Sequence, residues 1–537
     1  MVDWIWGRYA ALTYALLGAV GLTIGALLEG SGVLALMAIP FFALLFLGVY
    51  DFFQKRHAVL ANFPLLARFR FMLESIRPEL RQYFWESDDD EVPYSRNQRA
   101  MVYRRAKQLS AAQPLGSEQA MYAEDFTWLN HSLTPTHISS DDFRVSVGIG
   151  ESAYAMSLLN ISGTSFGSLS PPAIKALSTG ARLGGFAHNT GEGSLSPYHE
   201  AGGGDTVWQI STGYFGCRTA EGHFDDEKFA LKAKLPQVKM IEIKLSQGAK
   251  PGHGGMLLAP KVTSEIARTR GVEAFQDVIS PPSHSAFSTP ETLLEFAERL
   301  RALSGGKPVG IKLCIGHPWE LIAIVKAMVE TEIYLDFVTV DGAEGGTGAA
   351  PAEFSDHLGS PLRDGVVFVD NALRGAGLRE RVKVAASGKL VSGYDIVRIC
   401  ALGADWCNMA RPFMFALGCI QAKDCASGHC PTGIATMDPK RYRVVDVEDR
   451  AQRVANFQKN TRFVVKELLE AAGLNHPAEL TRRHIVRRLS ASEIKLADQI
   501  YPRVEPGALI HGGLNEDPRL QVYWSRVGKG SFAPSPG

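Results

Sequence analysis

Two uncharged apolar runs open the chain, at residues 9–28 and 33–50. Each is long enough to cross a ~30 Å hydrocarbon core as a helix. The Glu29-Gly30-Ser31-Gly32 break between them suits a tight helical hairpin. A cleaved signal peptide is the alternative for the first run, but its length and the second run directly behind it favour the hairpin. Arg8 precedes the pair, and Lys55, Arg56, Arg68 and Arg70 follow it, against Glu29 alone in the turn. That asymmetry predicts that both ends face the cytoplasm. Trp4, Trp6 and Tyr9 fall where an interfacial aromatic belt lies. The expected location is the cell inner membrane, crossed twice, with membrane lipid as a partner and the body of the chain in the cytoplasm.

Behind the hairpin the patterning changes twice. Residues 51–150 mix charges and aromatics and read as a helical and irregular collar, in which the acidic run 88–91 is a solvated loop. From about residue 155, short β-prone runs alternate with helix-like stretches. Strands are expected at 157–161, 207–210, 240–245, 309–313, 337–340, 382–386 and 405–409. Helices are expected at 171–183, 260–270, 290–303 and 318–329, several opening on a proline in the first turn. A repeated strand-then-helix order implies a parallel sheet with helical crossovers, and its extent suits a (β/α)8 barrel. A doubly wound open sheet is the rival, but no GxGxxG follows a first strand. The expected fold class is therefore α/β: a TIM barrel at 151–440, a transmembrane hairpin at 1–50, the collar at 51–150, and a C-terminal helical extension and tail at 441–537. In that extension Val454, Phe457, Phe463, Val464, Leu468 and Leu469 recur at helical spacing and predict a helix packed on the barrel. The last residues, rich in Gly and Pro, read as peripheral.

Composition narrows the function. Lys plus Arg and Asp plus Glu are both 56, so formal charge is zero, and no local basic run marks a nucleic-acid binder. With 46% hydrophobic and 21% charged residues the chain is globular rather than disordered. Glycines cluster behind predicted strands: Gly163 and Gly167, Gly252 to Gly255, Gly342 to Gly348, and Gly388. In a barrel those positions surround one ligand site, where backbone N–H groups and a helix N-terminus hold a phosphate.

Of the 7 cysteines, three form a C-x5-C-x4-C run at Cys419, Cys425 and Cys430, the last followed by Pro431. A secreted disulfide scaffold is shorter and denser in cysteine. Zinc usually takes four ligands, often from CxxC pairs, and none exists here, although His429 lies within the run. Three cysteines ending in Cys-Pro resemble an iron–sulfur loop with the ligand number of a three-iron cluster. From spacing alone iron–sulfur, zinc and structural thiols all stay open. Cys217, Cys314, Cys400 and Cys407 read as buried packing.

The separated motifs then resemble the FMN-binding synthase domain of the glutamate synthase family. They are Thr164-Ser165-Phe166-Gly167-Ser168, Asn189-Thr190-Gly191-Glu192-Gly193, Gln247-Gly248-Ala249-Lys250-Pro251-Gly252, Ile279-Ser280-Pro281-Pro282, Asp341 through Ala349, and Leu417 through Pro431. The resemblance implies a (β/α)8 barrel carrying FMN and a 3Fe–4S cluster, in which ammonia condenses with 2-oxoglutarate and 2-iminoglutarate is reduced to L-glutamate. It implies that Cys419, Cys425 and Cys430 hold the cluster. It implies FMN contacts at Ser165, Gln209, Lys312, Gly346 and Gly388, and catalytic or substrate roles for Lys250, Arg270 and Glu192. A lysine beside the flavin pyrimidine edge stabilises negative charge there, and a dicarboxylate wants Lys or Arg partners. Their non-functional counterparts are a solvated strand end for Lys312, a surface helix position for Arg270, a loop-capping group for Glu192 and a satisfied strand-end amide for Gln209.

Departures from the family pattern set the rest. No N-terminal nucleophilic cysteine, glutaminase region or FAD and NADPH module accompanies the barrel, so the expected partners are a ferredoxin-like or membrane electron donor and an ammonia-supplying protein. Pro251-Gly252 continues as His253-Gly254-Gly255-Met256 where the family usually has Glu-Gly-Gly-Gln, and Thr164 stands where Met is usual. Two further readings follow: the same chemistry on another imine or oxo acid, and a non-catalytic electron-transfer scaffold on the membrane. Lys250 and Glu192 argue against the scaffold, which needs neither.

Overall fold

The computed structural model describes residues 2–90, 93–110, 112–512 and 517–535. Glu91, the last residue of the acidic run, lies outside them; Asp88 to Asp90 are exposed. The chain divides into two compact units, Met1–Arg96 and Asn97–Gly537.

In the first unit the two apolar runs form antiparallel helices α1 (Ala10–Glu29) and α2 (Gly32–Phe53). Gly30 ends α1 in the left-handed conformation (φ 63°), and Ser31 caps α2 through the Leu34 N–H. Both helices are long and apolar enough to span a membrane. A further helix, α3 (Leu66–Leu80), runs into a wider turn at Arg81–Trp85.

The second unit is built around a closed barrel of parallel strands. They are β1 (Leu159–Ile161), β2 (His188–Asn189), β3 (Thr206–Ile210), β4 (Val238–Lys244), β5 (Val309–Leu313), β6 (Phe337–Asp341), β7 (Lys383–Ser387) and β8 (Trp406–Met409). Hydrogen bonding between β8 and β1 closes the ring, with Cys407 opposite Leu159.

Strand alternation decides what fills the barrel. On β4, Met240, Glu242 and Lys244 point inward, and Ile241 and Ile243 point outward. On β6 the inward set is Phe337, Thr339 and Asp341. The amino-terminal end is therefore apolar: Met240, Phe337, Val207, Ala187, Ala385 and Trp406 cluster there with Val147 and Met156. The last two come from the antiparallel hairpin Arg144–Val147/Tyr154–Ser157, which plugs that end. Above the plug lies a polar layer. The buried Glu242 carboxylate accepts hydrogen bonds from Asn189 Nδ2 (2.8 Å), Gln209 Nε2 (2.6 Å) and Thr339 Oγ1 (2.7 Å).

The long helix α4 (Val447–Ala471) packs on the first barrel helix, Pro171–Gly184, with Val454 so close that a side chain at Gly180 would strike it. Val454, Phe457 and Leu469 are buried, whereas Phe463, expected on the packed face, is 48% exposed. Phe463 falls on the solvent side because the buried stripe runs Val454, Phe457, Thr461, Val465, Leu469, at steps of three and four. Three further corrections concern elements. The helix expected from 260 starts at Ser264, because Thr263 caps it and Pro260 sits in a separate short turn. The helix expected at 318–329 extends to Thr331. The expected strands omitted β2.

Candidate active site

The carboxyl end of the barrel gathers the polar side chains, from the inward ends of strands, from the loops behind them and, for Arg270, from the last turn of the helix Ser264–Arg270. Lys244 ends β4 and Glu192 lies on the glycine loop after β2. Lys244 Nζ meets Glu192 Oε2 at 2.7 Å and Gln247 Oε1 at 2.7 Å. Lys250 and Arg270 are buried near the same carboxylate. Burial alone would push the Glu192 carboxyl up, but Lys244, Lys250 and Arg270 outweigh it and hold the group at about 2. Burial lowers Lys250, opposed by Glu192 and reinforced by Lys244. It brings Arg270 down to about 10, with Glu192 opposing.

Arg270 is fixed from two sides. Its Nη2 donates to the Phe166 carbonyl at 3.0 Å, and its guanidinium lies 5.0 Å over the Phe215 ring. Its Nε is buried without a hydrogen-bond partner among the described residues. The sequence reading brought Glu192, Lys250 and Arg270 to one place, as found here, and missed Lys244. A period of two counted from Met240 would have pointed Lys244 into the barrel. It also missed His284, which donates from Nε2 to the Lys244 carbonyl at 2.9 Å and whose burial takes its pKa to about 4.

A second group of residues lies across the mouth. Lys312 Nζ stands 3.6 Å from Asp341 Oδ1, while Asp341 Oδ2 accepts from the Gly248 N–H at 2.8 Å. Gly248 lies so close to the Gly342 carbonyl that an added Cβ would sit 1.7 Å from its oxygen. Gly388 takes φ 147° beside the Gly342 N–H, a conformation that favours glycine. Gly346 lies against the Arg411 guanidinium, which donates to the Glu344 carbonyl. Ser165, on the loop after β1, shares a hydrogen bond with Ser168 at 2.8 Å. Gln209 is held through Nε2 by Glu242. Asn408 on β8 carries a buried Oδ1 without a hydrogen-bond partner among the described residues. A cation at Lys312, bare backbone at Gly346 and Gly388, and polar atoms at Gln209 and Asn408 fit a flavin with its phosphate.

The three cysteines of the 419–430 segment influence one another electrostatically. Burial pushes Cys419 up to about 12 and raises Cys425. Burial also opposes ionisation of Cys430, but hydrogen bonds from Thr432, Ala435 and Ile434 prevail and lower it. The Gln421 N–H reaches Cys419 Sγ at 3.4 Å, and Lys261 Nζ donates to the Cys425 carbonyl at 2.6 Å. Among the described residues no three His, Cys, Asp or Glu side chains stand together in metal-binding geometry. The fit to a cluster therefore rests on donor chemistry: three thiols on one segment, N–H groups on sulfur and a lysine beside them.

Together these elements define a (β/α)8 barrel with Lys244, Lys250 and Arg270 grouped around Glu192 at the carboxyl end of its strands. Residues 131–475 match the family described as the conserved region in glutamate synthase. The chain is 37% identical over 510 residues to the glutamate synthase large subunit-like protein YerD of Bacillus subtilis (strain 168), covering 87% of this chain and 97% of that one. It is 37% identical over 320 residues to the archaeal glutamate synthase (NADPH) of Methanocaldococcus jannaschii, 59% of each chain. A solved structure of a mutant flavocytochrome b2 with pyruvate bound aligns with a TM-score of 0.41 at 15% identity, covering 79% of this chain and 86% of that one, too loosely to add to the strand order itself. The chain belongs to the glutamate synthase family and is a glutamate synthase-like oxidoreductase.

Proposed function

We propose that this chain is a membrane-tethered, FMN- and iron–sulfur-dependent oxidoreductase that reduces 2-iminoglutarate, formed from 2-oxoglutarate and ammonia, to L-glutamate. The observation that carries this reading is the charge count at the mouth. Lys244, Lys250 and Arg270 surround the single carboxylate of Glu192, leaving two positive charges to be matched. A small dicarboxylate supplies two negative ones.

In this reading Lys250 and Arg270 hold the substrate carboxylates. Glu192, ionised across the neutral range, holds Lys244 in place through their ion pair. The loop carrying Lys250 and the wall carrying Arg270 exclude water from the reacting carbon. Ser165, Gln209, Lys312, Gly346 and Gly388 would hold FMN, which when bound supplies the hydride. Cys419, Cys425 and Cys430 would hold the cluster and pass electrons from a ferredoxin-like or membrane donor. The helices α1 and α2 would anchor the protein in the inner membrane, with the barrel in the cytoplasm.

The test is anaerobic. Chemically reduced, FMN-loaded protein is mixed with 2-oxoglutarate and ammonium, and flavin reoxidation and glutamate are followed. Reoxidation without glutamate, or none, rejects glutamate synthesis. For the cluster, Cys425→Ser should remove iron and leave a flavoprotein that dithionite reduces and ferredoxin does not; stoichiometric zinc in the native protein decides against it. A second reading, reduction of a different imine, draws on His253 and on Met256, which is 46% exposed on the loop that follows Lys250. It predicts faster reoxidation with an alkylamine than with ammonium.

A further inference from the structure

The first unit carries an amphipathic surface that neither the barrel chemistry nor the hairpin uses. At ~100° per residue, Leu66, Phe69, Met72, Leu73, Ile76 and Leu80 fall on one stripe of α3. Leu66, Phe69, Met72, Leu73 and Ile76 are all exposed, Phe69 to 60%. Arg70 and Arg77 flank the stripe on one side, and Arg81 follows at the start of the next turn. Tyr83, Phe84 and Trp85 close the segment, Trp85 at 71% exposure. From residue 54 to 85 the cations are Lys55, Arg56, Arg68, Arg70, Arg77 and Arg81, against two carboxylates, Glu74 and Glu79.

The start of this helix is locked to the end of the hairpin. Asp51, fully buried in the last turn of α2, takes a two-pronged ion pair from Arg68: Nη2 to Oδ1 at 2.6 Å and Nε to Oδ2 at 2.8 Å. The Leu65 N–H also donates to Asp51 Oδ2, at 3.3 Å. Leu65 turns the chain at φ 64°, and its side chain lies with that of Leu12 against Gly48, where any Cβ would collide with both. An amphipathic helix is thus fixed where an apolar hairpin ends, beside Arg8, Lys55 and Arg56.

We infer that α3 and the aromatic turn behind it lie in the plane of the cytoplasmic leaflet and bind anionic phospholipid. This rests on the membrane reading of α1 and α2. The occupant follows from chemistry: a continuous Leu and aromatic stripe matches the acyl boundary, and a flanking arginine row matches phosphate headgroups. Aromatics at the end of such a segment sit at the headgroup level.

The experiment uses the full chain in nanodiscs of phosphatidylcholine alone and of phosphatidylcholine mixed with phosphatidylglycerol, read by hydrogen exchange. Amides of residues 66–85 should exchange about tenfold or more slowly in the anionic discs, with the difference shrinking at high salt. The triple variant R70E/R77E/R81E should lose the difference while residues 10–53 stay protected, and R70K/R77K/R81K should keep it. Equal exchange in both discs, or no effect of charge reversal, overturns the inference. So does protection that follows protein concentration, which indicates a second copy, or protection that persists in neutral detergent. Free exchange across residues 10–53 sinks the membrane reading itself, and this inference with it.

Discussion

The two ends of the barrel are made by the same strands and do opposite work. On β4, Met240 sits in the apolar plug and Lys244, two alternations further on, pairs with Glu192 at the mouth. On β6, Phe337 packs against Trp406 with ring centroids 5.8 Å apart, and Asp341 faces Lys312. The plug is held by apolar contact and leaves the buried Trp406 Nε1 without a hydrogen-bond partner among the described residues. The mouth concentrates like charges that folding would disperse, and holds them because Glu192 and Asp341 offset part of the repulsion. Stability and chemistry are thus separated along a strand by a few residues, as is general for this fold.

Substitutions at the two ends should therefore differ in kind. The largest expected effect is at the plug. Trp406→Ala should cost ~3–5 kcal/mol of unfolding free energy, read by denaturant titration, while the protein that remains folded keeps its mouth chemistry. At the mouth the sign of the comparison reverses. Lys250→Ala should cost ~2–4 kcal/mol of transition-state binding, about one and a half to three orders of magnitude in kcat/KM, with flavin content and thermal midpoint nearly unchanged. A loss of stability as large as that of Trp406→Ala would break the distinction.

Glu192 is where both properties meet. Its pKa is about 2 in the fold against an ordinary 4.5. Its contribution is fully present above pH 4.5 and is lost as pH falls through that value toward about 2. The stability gap between the native protein and Glu192→Gln should be flat at neutral pH, on the order of 1–3 kcal/mol, and should close on acidification. A gap independent of pH down to 2 contradicts the charge assignment. The smallest effect should come from the layer between the two ends. Glu242→Gln keeps the shape and removes an acceptor from Asn189, Gln209 or Thr339, at ~1–2 kcal/mol of unfolding free energy, read by denaturant titration.

The same alternation explains what could be read in the chain. Strands such as Val309–Leu313 and Phe337–Asp341 stood out because both faces are buried, one on helices and one in the barrel. β2 did not, since it has two residues, His188 and Asn189, between glycine-rich segments. Lys250 was legible through its motif, and Lys312 through what the family resemblance implies. Lys244 was hidden because a lysine closing an apolar strand has the appearance of a solvated end. Its meaning depends on Glu192, more than fifty residues away in sequence and 2.7 Å away in space. Tertiary contacts of that kind leave no local pattern.

Asp341 has a consequence for how the mouth behaves as a whole. One of its oxygens faces Lys312 and the other receives the N–H of Gly248, two residues before Lys250. The two loops also interlock where Gly248 meets the Gly342 carbonyl. A ligand that drew Lys312 away would free negative charge for the Lys250 loop, and one that pulled that loop outward would return charge to Lys312. Binding at Lys312 and binding at Lys250 would therefore be coupled through one shared carboxylate. Whatever factor occupancy at one changes affinity at the other, the reverse change must be the same.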